Sequence, residues 1–287
     1  MNIINRRESV RYPGLFVKKY TKKVFWDNLW HEDSELLEAR GHVELADGTT
    51  VINPFSKIFN HGENNTTIDP EEPCLTIRKI NGFMACATYV PFVDDVVVST
   101  TGSLDSAYVA IAESHLRGVT TEWIKWIYGI EGVAKTFMFE ICDYTDPHIV
   151  PEEHGAYLIG QREVSSTEPY YSDWQNELAL DIAAQYMGVM RPEWIVGYNF
   201  AEVVERAKTC QHEGYVVYGM NSGTVLKIKS PYYLTLKAVA RKKDILSLDK
   251  SRVDEEYYDL ITHLKTVENF NDLTEQDRLT YIREWLS

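Results

Sequence analysis

Between residues 41 and 229 the chain is cut into short apolar runs by turn signals, and this punctuation limits its possible folds more than any other feature. The stretch "GHVELADGTTVINPF" reads as a strand, an Asp47-Gly48 turn and a second strand. Further β-rich runs follow at 75–80, 83–90, 95–101, 136–142, 156–160, 214–219 and 223–229. Helical periodicity appears at 103–116, 122–130, 173–188 and 200–210. Strands, a helix pair and strands again predict an α+β domain of largely antiparallel sheet, not a regular βαβ winding. Within "LTIRKINGFMACATY", Asn81-Gly82 predicts a type I′ hairpin between two paired strands, because both residue types tolerate positive φ.

From residue 243 the character changes to acidic amphipathic helix. In "DEEYYDLITHLKTV" the residues Tyr257, Ile261 and Leu264 share a face, and Thr274-x-x-Asp277 resembles a capping signal. The expected organisation is a main domain over 1–242 and a small helical appendage over 243–287. With 287 residues, 44% of them hydrophobic, the chain is long enough to bury a substantial core.

No apolar run approaches the roughly 20 residues needed to span a bilayer, and the polar start does not read as a signal peptide. A cytoplasmic protein with no membrane partner is expected. Cys74, Cys86, Cys142 and Cys210 lack CxxC spacing, so buried free thiols are expected rather than zinc ligands or disulfides. The eight histidines form no HxxxH or HxH pair.

A net charge of −14 argues against a polyanionic partner, but its distribution does not. Arg6, Arg7, Arg11, Lys18, Lys19, Lys22 and Lys23 crowd the first 23 residues against the single acid Glu8. Lys237, Arg241, Lys242 and Lys243 form a second basic knot.

Five constellations place charge inside, or at the ends of, apolar strands: Lys79, Glu140, Glu213, the pair Lys227 and Lys229, and Lys57. Each has a bland reading, since Lys227 and Lys229 alternate with Leu226 and Ile228 and would both point to solvent from a strand with one wet face. Together they fit nucleotidyl transfer. Lysines neutralise a developing phosphate charge, carboxylates hold a divalent cation or a ribose hydroxyl, and a further lysine attacks. Such a nucleophile must lose its proton near neutral pH, and the crowding of lysines is expected to lower the Lys79 pKa.

In this order, "KING" resembles motif I of the covalent nucleotidyltransferase superfamily of polynucleotide ligases and capping enzymes. "TFMFE", "EGYVV" and "LKIKS" look like its motifs III, IV and V. "LLEARGHVEL", "FSKIFNHGE" and "LKIKSPYYLTL" are similar to segments of the RNA ligase 1 family of T-even-like phages, which reseals broken tRNA. The resemblance covers roughly residues 36 to 240. It implies the ligase adenylation-domain fold, with flanking helices around antiparallel sheets. It also implies a monomer that uses ATP and Mg²⁺, with Mn²⁺ as a substitute, on RNA 5′-phosphate and 3′-hydroxyl ends, in the host cytoplasm if phage-encoded.

By the same resemblance Lys79 is the adenylylated nucleophile and Gly82 the close-packed glycine beside it. Arg40 and Lys57 grip the ATP phosphates, with Phe59 shaping that region. Glu140 contacts the ribose or a metal-bound water, Glu213 serves the metal, and Gly214 lets the strand approach. Lys227 and Lys229 hold the α-phosphate near Tyr233. The chain departs from the family where Thr101 replaces a lysine before Gly-Ser, where Phe83 follows the motif I glycine, and in its short C-terminal stretch. A noncatalytic relative that binds nucleotide or RNA ends, and another polynucleotide nucleotidyltransferase, are the alternative readings.

Overall fold

The computed structural model describes residues 3–249 and 253–286; residues 250–252 and 287 of the expected helical appendage lie outside the described residues. Strands β1 (Ile4–Glu8), β2 (Phe16–Tyr20), β3 (Arg40–Glu44) and β4 (Thr50–Ile52) form an antiparallel sheet in chain order. Short helices α1 (Lys22–Trp26) and α2 (Glu35–Glu38) sit between β2 and β3. Strands β5 (Phe59–Asn60) and β6 (Pro73–Arg78) belong to a second sheet, whereas β7 (Phe83–Val90) and β8 (Asp95–Thr100) belong to a third.

Helices α3 (Ala107–Leu116) and α4 (Val119–Glu131) lead to β9 (Lys135–Cys142) and β10 (Gly155–Glu163), which complete the third sheet in the order β10-β9-β7-β8. After α5 (Trp174–Met187), the strand β11 (Trp194–Asn199), helix α6 (Phe200–Thr209) and strands β12 (Gly214–Gly219) and β13 (Val225–Lys229) finish the second sheet as β11-β6-β12-β13-β5. Its one parallel pairing joins β13 to β5. The chain closes with α7 (Pro231–Ala240), α8 (Tyr258–Leu264) and α9 (Glu275–Leu286). This is the expected α+β architecture.

The hairpin at Asn81-Gly82 does not form. Strand β6 pairs with β11 and β12, while β7 pairs with β8 and β9, so the two runs flanking the dipeptide enter different sheets. Neither residue takes a positive φ. Partners distant in sequence override the turn preference: the Asn81 amide bonds Glu213, its carbonyl oxygen accepts from Val150 N, and Gly82 N donates to Glu140.

Burial on both faces explains the largely apolar character of β7 and β9. Ala85, Ala87, Phe137, Phe139 and Ile141 pack under α3, α4 and α5, against Val109, Leu116, Ile124, Leu180 and Met187. Cys86 and Met138 point the other way, onto Leu15, Val17, Val43 and Ile52 of the first sheet and its flanking loops. In the second sheet Leu226 and Ile228 pack beneath Phe200, Val203 and Ala207 of α6. The alternate positions, Lys227 and Lys229, therefore face away from α6.

Ser230-Pro231 starts α7 directly after β13: Pro231 fits the first helical position, and the Ser230 hydroxyl accepts from Tyr233 N at 3.1 Å. Helices α7, α8 and α9 share one core, in which Leu236, Val239, Leu260, Ile261, Leu279 and Ile282 meet Ile149 and Val150 from the β9–β10 connection. The expected cap is present before α9, where Thr274 Oγ1 accepts from Asp277 N at 3.2 Å. Cys74, Cys86 and Cys142 are buried free thiols, and Cys210 is a partly buried one.

Candidate active site

A cavity of about 500 Å³ lies between the second and third sheets. Its apolar lining comes from both: Ile77, Val216 and Tyr218 from one, Phe83, Met84 and Ile159 from the other, with Phe55 beside them. Its charged lining is Arg40, Arg78, Lys79, Glu140, Glu213, Lys227 and Lys229. A flat apolar group and a polyanion could thus occupy the same hollow side by side.

Lys79 sits one residue past β6, where its backbone N–H donates to Gly214 O at 2.9 Å. On its other side Gly214 lies against β13, and that approach requires glycine. Gly214 has φ +131°, and a Cβ there would stand 2.0 Å from Ile228 O. Gly82 is equally confined, with its Cβ position 2.3 Å from Ile141 O. The Lys79 ammonium donates to Glu213 Oε2 at 2.9 Å and to Ile80 O at 3.3 Å. Glu213 is only 3% exposed; its Oε2 also accepts from Asn81 Nδ2 at 2.8 Å, and its Oε1 faces Lys229 Nζ at 3.5 Å. Glu140 accepts from Gly82 N at 3.1 Å.

These charges pull the two carboxyls apart. Burial pushes Glu140 up, aided by Glu213 and opposed by Lys79. Burial also works on Glu213, but Lys79, Lys229 and the Asn81 amide together hold it below its ordinary value. The expectation for Lys79 is reversed. Burial disfavours its charge, yet Glu140 and Glu213 outweigh burial and leave its pKa raised.

The lysine with the strongly lowered pKa is Lys227. Burial, then Arg40, Lys57, Lys79 and Lys229, bring it down to about 6. Lys229 is also lowered, by burial first, with Glu213 opposing; its ammonium lies 5.0 Å from the centroid of the Tyr233 ring. Burial raises Tyr233 to about 12. Neither lysine looks into open solvent as the single-wet-face reading would have it.

Arg40, Lys79, Gly82, Glu140, Glu213, Lys227, Lys229 and Tyr233 line the cavity together, with Gly214 supporting Lys79 from behind. Lys57 and Phe59 stand outside that lining. The Lys57 ammonium bonds Glu63 Oε1 at 3.1 Å and lies 4.2 Å from the Phe59 ring centroid, and its charge acts on Lys227 and Arg40 at the cavity. Phe59 packs edge-on against Trp30 with Val24 and Leu36.

Arg78 and His148 carry no sequence signal as site residues, and Asn81 stands out in the sequence only within the motif I turn. Asn81 links Glu213 to the β9–β10 connection. Arg78 pairs with Glu152 at 2.7 Å beside the cavity. At the Thr101 edge, Gly41 (φ +88°) brings its Cβ position within 2.9 Å of Thr101 Cα, and the Lys19 ammonium lies 2.9 Å from the Cβ position of Gly102. Lys19 thus places a cation at Gly102, next to Thr101.

A family model described as RNA ligase matches residues 38–237. Among solved structures, one titled as form 1 of an archaeal ATP-dependent RNA ligase superposes with a TM-score of 0.57 at 14% identity, covering 98% of this chain and 73% of that one. Form 2 gives 0.56 at 13% identity, with coverages of 97% and 72%. A putative ATP-dependent DNA ligase from Aquifex aeolicus gives 0.55 at 14%, with coverages of 98% and 73%. No curated protein matches the chain. At these identities the structural likenesses establish the fold alone, that of the ligase nucleotidyltransferases.

Proposed function

Because the chain belongs to the RNA ligase family, we propose that it joins RNA 5′-phosphate and 3′-hydroxyl ends with ATP through a lysyl-AMP intermediate on Lys79. The carrying observation is that Lys79 and its carboxylate partner Glu213 share one cavity with Arg40, Lys227 and Lys229. Lys79 Nζ attacks the ATP α-phosphorus; an N–P bond forms, the α–β P–O bond breaks, and pyrophosphate leaves. AMP then passes to the RNA 5′-phosphate and frees Lys79. Finally the RNA 3′-oxygen attacks that phosphorus, and AMP departs.

Arg40, Lys227 and Lys229 are read as the phosphate-binding cations, with Lys57 reinforcing their field and Phe59 supporting it from the core. Tyr233 forms the wall beside Lys229, and the base lies against Ile77, Val216 and Tyr218. Two carboxylates facing the cavity, Glu140 and Glu213, are hard oxygen donors of the kind that suit Mg²⁺ or Mn²⁺. A bound ion supplies positive charge that offsets both carboxylates. With both carboxylates so offset, burial would disfavour the charged form of Lys79, the nucleophile this reading assigns.

We place this activity in RNA repair, tRNA included, in the cytoplasm. The working unit is a single chain, its adenylation domain over 1–242 and its helical appendage over 243–287. Among the described residues no helix is long and apolar enough to cross a membrane. The test is incubation with Mg²⁺ and ATP labelled at the α-phosphate, followed by denaturing electrophoresis. Wild type should retain label, while Lys79→Ala should retain none yet still seal pre-adenylylated RNA. Label on Lys79→Ala would overturn the assignment.

A further inference from the structure

Away from the cavity's lysines, three side chains from separate stretches converge: His115 near the end of α3, Asp143 just past β9, and His154 just before β10. Their nearest ligand atoms all lie within 4.8 Å of one another. His115 Nε2 and Asp143 Oδ2 are 2.7 Å apart, and the rings of His115 and His154 have centroids 4.7 Å apart. We propose that this trio is a binding site for a single divalent transition-metal ion, zinc in the first instance, that fastens the β9–β10 connection to α3.

Two imidazoles and a carboxylate form a donor set that zinc accepts, with three protein ligands leaving a fourth position for water. Zinc bonds of about 2.0–2.1 Å place tetrahedral ligand atoms about 3.3 Å apart. The ion would replace the proton between His115 and Asp143, and that pair would open from 2.7 Å by about 0.6 Å. His154 would swing its nitrogen in. Both outer groups are oriented from behind. Asp143 Oδ1 accepts from Thr145 N at 2.8 Å and from Thr145 Oγ1 at 2.6 Å, which turns Oδ2 toward His115. Tyr144 stacks on the His154 ring at 4.2 Å with the planes 2° apart. Partners of this kind fix the orientation of metal ligands.

The tie has a purpose in this fold. The 143–154 connection carries His148 to the cavity lining and donates Val150 N to Asn81, which in turn holds Glu213. The same connection sends Ile149 and Val150 into the core of the C-terminal helices. Fixing both ends of this segment to α3 would therefore hold together the cavity and the helices that pack behind it.

The experiment is a zinc titration of the full chain, stripped with chelator, against a chromophoric chelator. Millimolar Mg²⁺ is kept present so that Glu140 and Glu213 do not compete for zinc. Wild type should take up one equivalent and melt at a higher temperature when it does. His154→Ala, which removes an exposed side chain, and Asp143→Asn should bind at least tenfold more weakly and lose the thermal shift. Thr145→Val, which leaves all three ligands in place, should weaken binding by about tenfold. Co²⁺ should give a visible absorption band on wild type that is absent from His154→Ala. No stoichiometric uptake by wild type, or uptake undiminished in both ligand variants, would overturn the site. These readouts are independent of ligation, so the site stands or falls apart from the activity.

Discussion

Lysines occupy strands in both the first and the second sheet, and the two regions treat them in opposite ways. On β2, Lys18 lies 2.6 Å from Glu35 and 2.7 Å from Glu44, whose other oxygen takes Arg6 at 2.7 Å. Burial opposes its charge, but those two carboxylates leave its pKa raised. On β13, Lys227 is surrounded by Arg40, Lys57, Lys79 and Lys229, which add to burial and bring it to about 6. A cation that serves structure has its carboxylates within the chain. Lys227 in the cavity is left short of negative charge, which a polyphosphate would supply.

The sharpest way to break this contrast is Lys227→Met. Removing a preorganised cation from a phosphate-binding wall should lower adenylylation by about 10²–10³. Without nucleotide the same variant should melt above wild type, because a group whose charge the fold disfavours has gone. The pH dependence fixes the sign. Between about 6 and the ordinary 10.5, the unfolded chain carries a proton on Lys227 that the folded one lacks, so wild-type stability rises with pH in that window. The advantage of Lys227→Met should be full below about pH 6 and vanish by about 10.5. A constant advantage across that range in thermal melts would count against the depressed pKa.

Lys18→Ala should do the reverse, costing about 1–2 kcal/mol of stability in denaturant titrations while leaving adenylylation at the wild-type rate. The smallest effect sets Lys18 against its neighbour. Among the described residues Lys19 has no carboxylate within ion-pair distance, and its ammonium lies by Gly102 at the cavity edge. Lys19→Ala should reduce the salt slope of single-stranded RNA binding by about 0.7. Lys18→Ala should leave that slope unchanged, since its charge is already taken up by Glu35 and Glu44. Equal slopes for the two variants would erase the distinction between paired and available cations.

Much of the fold is legible in local pattern. The alternation Leu226, Lys227, Ile228, Lys229 commits both lysines to one face of any strand it forms, and α6 does cover the other face. The helical runs at 173–188 and 200–210 are read from their periodicity, and the structure ends α5 at Gly188 and starts α6 on the Asn199–Glu202 capping box. Asn81-Gly82 is misleading for a definite reason: a turn preference is a local φ tendency, and it yields to hydrogen bonds with Glu213, Val150 and Glu140. Phe59 lies in a motif-like block, yet its side chain goes into the core with Trp30. The trio of His115, Asp143 and His154 has no sequence spacing that reveals it, since its members come from a helix end and two strand ends.

Local pattern settles which side chains share a strand face and the order in which the charged groups arrive, but not every helix: α7 at Pro231–Ala240 follows β13 with no periodic run to announce it. What each charge meets follows from packing between distant segments. Lys79 and Glu213 are 134 residues apart in the chain and 2.9 Å apart in space. A pKa is set by burial and by the charges around a group in space, so no local pattern could have shown that Lys79 has its pKa raised while Lys227 is driven toward neutrality.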